Sequence, residues 1–450
     1  MNSPHFDVIV LGTGPAGSTI ARKAAKSGHK TAIIESREFG GTCALRGCNP
    51  KKVYVNAASI IDQVHRANGK LITDCGVAID WAQLLAFKKT FTEPVAVRSE
   101  RSFHDAGIAT FQGVPAFTGQ AEVSVNEHQL SAKKIVIATG AKPAPLEIPG
   151  EEWVIQSDEF MELESLPERV LFIGGGYVSM EFAHVVARCG NSVTVVDHHE
   201  RVLTSFDADL VKLLQGYSEQ WGIRFRHGSR VVAIELAADQ SMKVVLEGGD
   251  IIDCDMVVHG AGRVPSISDL RLEAGNVEYE TNGIVVDDFM RSVSNPNVYA
   301  AGDCAASGQP KLTPTANEEA RIIAKNLFAD NPEIQPSYGQ IPQVAFTIPA
   351  IAAVGMSEEQ AREMNSNIDV RFKETSAWGS NRKTGDTVAG FKVILDKQSN
   401  KILGAHLLGP DADEMINLFA LAQRFNLTAK DLKSALFAFP TSSADLRQMV

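Results

Sequence analysis

A glycine-rich turn caught between an apolar strand and a helix occurs twice in this 450-residue chain, and few folds accommodate such a repeat. Phe6 to Leu11 is fully apolar, the pattern of a buried parallel strand. Gly12-Thr13-Gly14-Pro15-Ala16-Gly17 follows and opens a helix expected to run through Gly28. A second strand, Thr31 to Ile34, ends in Glu35. Gly12 allows the tight turn, Gly14 lets a pyrophosphate approach the backbone, and Gly17 permits close helix packing. The helix N-terminus then faces phosphates, and Glu35 is placed to hold a ribose hydroxyl. The pattern returns at Arg169. Val170 to Ile173 is a strand, Gly174-Gly175-Gly176-Tyr177-Val178-Ser179 the turn, and Val193 to Val196 a strand ended by Asp197. Ser179 stands where a third glycine is usual and is still small.

Two such units predict an α/β chain with two Rossmann-like nucleotide-binding domains, and hence two nucleotides. Asp197 accepts from a free ribose 2′-OH and repels a 2′-phosphate, and Arg201 is the only cation nearby in sequence. NADH is therefore preferred to NADPH. The adjacent His198 and His199 read as an exposed turn in preference to a metal site.

Cys43 and Cys48 lie five positions apart, just past the second strand. On an undistorted helix, five residues rotate by about 500° and leave the side chains roughly 140° apart. Their Cα atoms would also exceed the ~7 Å limit of a disulfide. If they bond, the helix must bend there, and Gly47 is placed to allow it. The alternative is a pair of buried structural thiols. Cys75, Cys189, Cys254 and Cys304 are scattered without metal-ligand spacing and read as small buried hydrophobes.

Composition closes off other classes. The net charge of −11 argues against a nucleic-acid or anionic-membrane surface. No apolar run reaches the ~18 residues of a membrane span. Met1 to His5 leads straight into a strand without a signal peptide, and so few cysteines point to a cytoplasmic protein.

The stretch Gly40-Gly41-Thr42-Cys43, four residues, Cys48, then Pro50, Lys51 and Lys52 resembles the redox-active motif of the pyridine nucleotide-disulfide oxidoreductases, such as glutathione reductase, lipoamide dehydrogenase and mercuric reductase. The likeness runs the length of the chain. It implies FAD at the first glycine turn, with Gly12, Gly14, Pro15, Ala16, Gly17, Glu35, Gly41, Thr42 and Lys52 around it. Ile135 to Gly140 resembles the family's crossover out of the FAD domain, contributing Thr139 and Gly140. Asn297 to Asp303 resembles its return, with Gly302 and Asp303 on the cofactor and Thr313 beside the flavin. NADH or NADPH would meet Gly174, Gly176 and Asp197, and Arg263 is a further cofactor-binding candidate.

By the same likeness, electrons pass from nicotinamide to flavin to a Cys43–Cys48 disulfide. Cys48 is then the charge-transfer thiolate and Cys43 the attacking thiol. Tyr177 covers the flavin until nicotinamide displaces it, and Glu181 pairs with Lys51, whose ammonium stabilises charge on the reduced ring. The implied domains are 1–150 with 271–340 for FAD, 151–270 for NAD(P), and 341–450 as a C-terminal α+β dimerisation domain. A homodimer follows, its active site completed by the partner subunit. The segment from Val53 to about His104 reads as two helices, Gly113 to Ile137 as an antiparallel β excursion, and Pro143, Pro145 and Pro149 as a linker.

The likeness breaks near the end. The family's disulfide reductases carry His-Pro-Thr-x-x-Glu, and this chain has Phe439-Pro440-Thr441-Ser442-Ser443-Ala444. The missing histidine exchanges protons with the first thiol and the leaving thiol, help typically worth ~10²–10⁴ in rate. One expectation is reduction of a disulfide or another soft electrophile without a base, with Arg46 lowering a thiol pKa. Glutathione is not favoured, because the helix from Trp81 to His104 has no tyrosine although Arg22 and Arg321 are in place. A second is chemistry like that of 2-ketopropyl-coenzyme M oxidoreductase/carboxylase, which also has Phe in place of the histidine. A third is a redox-sensing flavoprotein with little turnover. Mercuric reductase and high-molecular-weight thioredoxin reductase are set aside because no cysteine follows Cys304.

Overall fold

The structure is a computed structural model and describes residues 4–73, 76–329, 333–364 and 367–450. It divides into two compact units. The first comprises 1–51, 87–144 and 262–338, the second 52–86, 145–261 and 339–450.

The first unit begins with strand β1 (His5–Leu11), helix α1 (Pro15–Lys26) and strand β2 (Thr31–Glu35). β1 lies at the middle of a seven-stranded sheet, parallel to β2 on one side and to His128–Ile137 on the other. Leu11 is level with Ile34 and Ile137, so three strand ends converge at the Gly12 turn. Ala109–Gln112 extends the sheet beyond β2, and Val298–Ala300 joins His128–Ile137, both in parallel. Residues Val8 to Leu11 and Ala32 to Ile34 are wholly buried, as continuous apolar runs in a parallel sheet require.

The antiparallel excursion is real for Pro115–Gly119 and Glu122–Val125, but its last strand crosses over to pair in parallel with β1. The proline segment expected as linker is in part a strand: Ala141–Pro143 pairs with Arg263–Pro265. The chain therefore returns to this unit at Gly262, earlier than the expected 271.

Two further helices carry the cysteines. Helix α2 (Gly41–Leu45) stops at Arg46, whose φ of −147° is not helical, and helix α3 (Cys48–Ala67) starts two residues later. A Cβ on Gly47 would lie 2.9 Å from the Thr42 carbonyl oxygen and 3.3 Å from Cys43 Cα, so the junction closes only around a glycine. The expected bend is thus a full break. The helical region begins at Cys48 instead of Val53, and the helix Trp81–Asp105 follows.

In the second unit, Arg169–Ile173 is central to a five-stranded parallel sheet in the order Ile223–Arg226, Ser192–Val196, Arg169–Ile173, Met256–His259, Val154–Ile155. The helix Tyr177–Arg188 follows the Gly174 turn and is buried along most of its length. The same unit holds an antiparallel five-stranded sheet, Gln343–Ala345, Ala350–Gly355, Ile402–Gly409, Gly390–Asp396 and Ile368–Glu374. The helix Ala412–Arg424 packs Met415, Ile416 and Phe419 on that sheet's core face. Among the described residues no helix is long and apolar enough to cross a membrane. Cys254 and Cys304 are buried as expected, Cys189 is only half-buried, and Cys75 lies outside the described residues.

Candidate redox and nucleotide sites

The first glycine turn is locked to its surroundings by one side chain. Thr13 donates its N–H (3.0 Å) and its hydroxyl (2.5 Å) to Glu35 Oε2, and the same hydroxyl accepts from Gly40 N at 2.9 Å. The other Glu35 oxygen takes the Arg37 N–H at 3.0 Å and the Ser36 hydroxyl at 3.5 Å. A Cβ on Gly12 would strike the Ala138 carbonyl at 2.3 Å, and one on Gly17 would strike the Gly12 carbonyl at 2.0 Å. Gly14 is different: nothing lies within 4 Å of the position its Cβ would take. That open cradle at the start of α1, with Pro15 at its first turn and Ala16 and Gly17 buried behind, fits a pyrophosphate. A cavity of about 270 Å³ extends from Thr13, Gly14 and Pro15 to Cys43 and Asn49. Gly41 approaches Gly14 so closely that a Cβ there would be 2.4 Å from Gly14 Cα. Thr42 follows it, exposed, in α2.

Cys43 and Cys48 come together across the break between α2 and α3 as free thiols. Thr313, first residue of the helix Thr313–Asn326, points its hydroxyl at Cys43 Sγ from 3.8 Å. The proton distribution is unequal. The Cys43 thiol donates to Cys48, and this bond, together with the Thr313 hydroxyl and the Lys51 charge, lowers Cys48 to about 6. The same bond, with burial and the neighbouring charge, pushes Cys43 well up. Cys48 is also the first residue of a 20-residue helix, where the backbone favours an anion. The cation acting on Cys48 is Lys51; the expected one, Arg46, pairs with Glu38 at 2.6 Å. Of the two arginines carried over as glutathione contacts, Arg22 donates to Ser102 and lies over the Phe103 ring, while Arg321 is forked onto Glu318.

The return to the first unit brings Gly302 (φ +75°) and Asp303 onto a short turn, with Gly302 N held by Glu319 at 2.6 Å. Burial raises the Asp303 carboxyl, and the charges of Arg263 and Lys311 oppose this. Arg263 belongs to the first unit and donates to the Ala141 carbonyl. Thr139 and Gly140 (φ +68°) follow the end of the strand His128–Ile137.

In the second unit, Gly174 has φ +92° and its Cβ would meet Gly260 O at 2.4 Å. Gly176 leaves open space, its nearest neighbour 3.8 Å away. Asp197 is buried, accepting from Gly175 N at 2.5 Å through one oxygen and from the His199 N–H and ring, both 2.8 Å, through the other. Arg201 donates to the Leu203 and Thr204 carbonyls. His198 and His199 are half-exposed.

Glu181 is buried, not a solvated helix residue. One of its oxygens has the Lys52 ammonium at 3.3 Å. Its other oxygen takes Phe346 N at 3.0 Å, and Lys52 lies over the Phe346 ring. Tyr177 opens the same helix and is 44% exposed. Phe439 is 88% exposed, and Ala444 lies on the helix Ser442–Met449 capped by Thr441.

Family models match nearly the whole chain: the pyridine nucleotide-disulphide oxidoreductase model over residues 6–320, and that family's dimerisation domain over 341–450. The chain belongs to this family. A glutathione reductase from Burkholderia cepacia is 33% identical over 98% of this chain and 97% of its own length. Dihydrolipoyl dehydrogenase 3 of Pseudomonas aeruginosa is 32% identical over 98% and 97%. Among solved structures, a copper(II) complex of the HOCl-induced flavoprotein disulfide reductase RclA from Escherichia coli, a cysteine-to-serine variant, matches with a TM-score of 0.89. It is 26% identical, covering 100% of this chain and 99% of that one. The protein is accordingly an NAD(P)H-dependent flavoprotein disulfide oxidoreductase with a family dimerisation domain, and the family uses FAD and a pyridine nucleotide.

The residue-level reading from sequence missed a polar stripe on the helix Tyr177–Arg188. Glu181, His184 and Arg188 recur at i, i+3 and i+7, which marks one helix face as polar although its surroundings are apolar.

Proposed function

We propose that this flavoprotein passes electrons from NADH through a Cys43–Cys48 disulfide to a soft electrophile whose leaving group needs little protonation. The supporting observation is the division of labour between the thiols: Cys48 holds the negative charge and Cys43 keeps the proton. A base that removes the Cys43 proton is what Phe439 and Ala444 fail to supply. Activated disulfides and thiophilic metal ions make the least demand on such a base. The copper(II) complex of the structural relative supports including metal ions in that class.

FAD, when bound, would relay two electrons from the nicotinamide to the cysteine pair. The open cradle at Gly14 would take its pyrophosphate, Glu35 its ribose, and Gly302 with Asp303 the part beyond. Gly41, Thr42, Thr139, Gly140, Arg263 and Thr313 complete that set. Gly174, Gly176 and Asp197 would hold the nicotinamide nucleotide. The Asp197 carboxylate repels a 2′-phosphate, which favours NADH. Lys51 would steady the Cys48 thiolate and, with Glu181 and the neighbouring Lys52, would stand on the nicotinamide side with Tyr177 as cover. In a homodimer, Phe439 would close the site of the partner subunit. We assign 1–150 with 262–340 to FAD, 151–261 to the nicotinamide nucleotide and 341–450 to dimerisation, and a cytoplasmic setting. Phe439 also favours a second reading, CO₂-dependent thioether cleavage, in which exclusion of a proton donor protects a carbanion.

Anaerobic titration of the yellow protein with NADH tests the scheme. A long-wavelength thiolate-to-flavin band before the flavin bleaches supports it; direct bleaching with no such band rules the cysteine route out. Product assays with activated disulfides, copper(II) and CO₂ with a thioether then separate the two readings.

A further inference from the structure

The stripe Glu181, His184 and Arg188 faces inward, and all three residues are buried. Buried polar groups of this kind require partners, and theirs come from distant parts of the chain. Arg188 donates to Asp62 Oδ1 at 2.7 Å and to the Ile348 carbonyl at 3.2 Å. Tyr217 donates to the same Asp62 oxygen at 2.9 Å, and Arg66 takes the other at 2.7 Å. Arg66 also reaches the Thr384 carbonyl and Asp386. Two guanidinium groups and two carboxylates therefore balance within the core. Ile348 N and Arg188 Nη1 both aim donors at His184 Nδ1, so that nitrogen is the acceptor and Nε2–H donates to Ser218.

Asp62 and Lys52 lie on α3, and Arg188 and Glu181 on the helix Tyr177–Arg188, so the same two helices are joined at two points. Along the axes the joints are ~15 Å apart on α3 and ~10 Å apart on its partner. They differ in quality. Lys52–Glu181 spans 3.3 Å with the lysine side chain one-third exposed (33%). Asp62–Arg188 spans 2.7 Å with side chains 3% and 0% exposed. A buried ion pair adds little net stability over apolar packing, but it enforces one geometry, since any displacement leaves a charge unpaired in the core.

We infer that Asp62 is a positioning residue: its bond to Arg188 fixes the helix Tyr177–Arg188 against α3 and so sets where the Lys52 ammonium and Glu181 carboxylate stand. The inference rests on the reading of that pair as flavin-side groups. Asp62 touches no cofactor; it acts through Arg188 and the rigidity of two helices.

The test is a double-substitution cycle on the FAD-loaded full-length protein with Glu181→Gln, Asp62→Asn and both together. The readouts are the flavin midpoint potential, the intensity of the thiolate-to-flavin band and the rate of reduction by NADH. Misplacement of a charged group by ~1 Å can cost as much as 10² in rate. We expect Asp62→Asn to lower the rate about tenfold and shift the potential in the direction of Glu181→Gln, with the double variant no worse than Glu181→Gln alone. Additive effects, or an Asp62→Asn protein that only melts earlier with potential and band unchanged, overturn the inference. A Glu181→Gln protein with potential, band and rate all unchanged overturns instead the flavin-side reading on which it rests. Should Asp62→Asn not fold, Tyr217→Phe, which removes one bond to the same carboxylate, takes its place under the same criteria.

Discussion

The Thr313 hydroxyl stands 3.8 Å from Cys43 Sγ although 270 residues of chain separate them. The return of the chain to the first unit thus supplies a polar donor to the cysteine pair and not merely a strand to the sheet. With Thr313, Cys43 and Lys51 all favouring the anion, the negative charge of the reduced pair settles on Cys48.

The pH dependence of that charge follows. The depressed Cys48 pKa, about 6, means the thiolate is present above that pH and lost as pH falls through it. The thiolate-to-flavin band of the NADH-reduced protein should therefore fade with a midpoint near 6. The Cys43 thiol is the largest contributor, so Cys43→Ala should move the midpoint up toward the ordinary thiol value of ~8.5. A pH titration of the band checks this; an unmoved midpoint in Cys43→Ala contradicts it.

Cys48→Ser should abolish reduction of the electrophile while leaving NADH-driven reduction of an artificial dye within about twofold of the unaltered protein, because flavin reduction precedes the cysteine step. Parallel assays with the two acceptors check this, and equal losses in both would place Cys48 outside the electron route.

Restoring the absent acid–base pair should restore disulfide chemistry. Phe439→His with Ala444→Glu together should raise the rate on an unactivated disulfide by at least ~10² and introduce a limb near pH ~6.5. The rate–pH profile is the measurement. No gain on any disulfide would mean that the pocket, and not proton transfer, excludes such substrates.

Nucleotide choice should respond to one charge. Asp197→Asn keeps the acceptor for Gly175 N but removes the repulsion of a 2′-phosphate. The ratio of kcat/KM for NADPH over NADH should rise about tenfold, the equivalent of ~1.4 kcal/mol. Steady-state kinetics with both nucleotides decide it.

Close backbone approach should be required for FAD. Gly41→Ala would put a methyl group 2.4 Å from Gly14 Cα, at the cradle itself. The purified variant should carry little flavin, read from the ratio of flavin to protein absorbance, and full occupancy would show that the turn yields.

Both nucleotide folds were legible because their cause is local. Gly12, Gly17 and Gly174 sit where any Cβ meets backbone, and the apolar strands around them are continuous. Ser179 shows where legibility ends. Its tolerance depends on Gly260, whose Cβ would fall 1.7 Å from the serine oxygen, and nothing near position 179 announces a glycine so far along the chain. Asp62 and Arg188 were missed because their bond spans 126 positions. The inward polar stripe was visible, but its partners were not.

The glycine between the two thiols makes this redox centre easy to lose without trace. A methyl group at position 47 would press on Thr42 and Cys43 and force the helices apart or into one. Such a chain would keep every residue of its cysteine motif and still look intact in its sequence. In a labelling experiment it would betray itself, presenting two independent thiols that alkylate separately and never protect one another by oxidation.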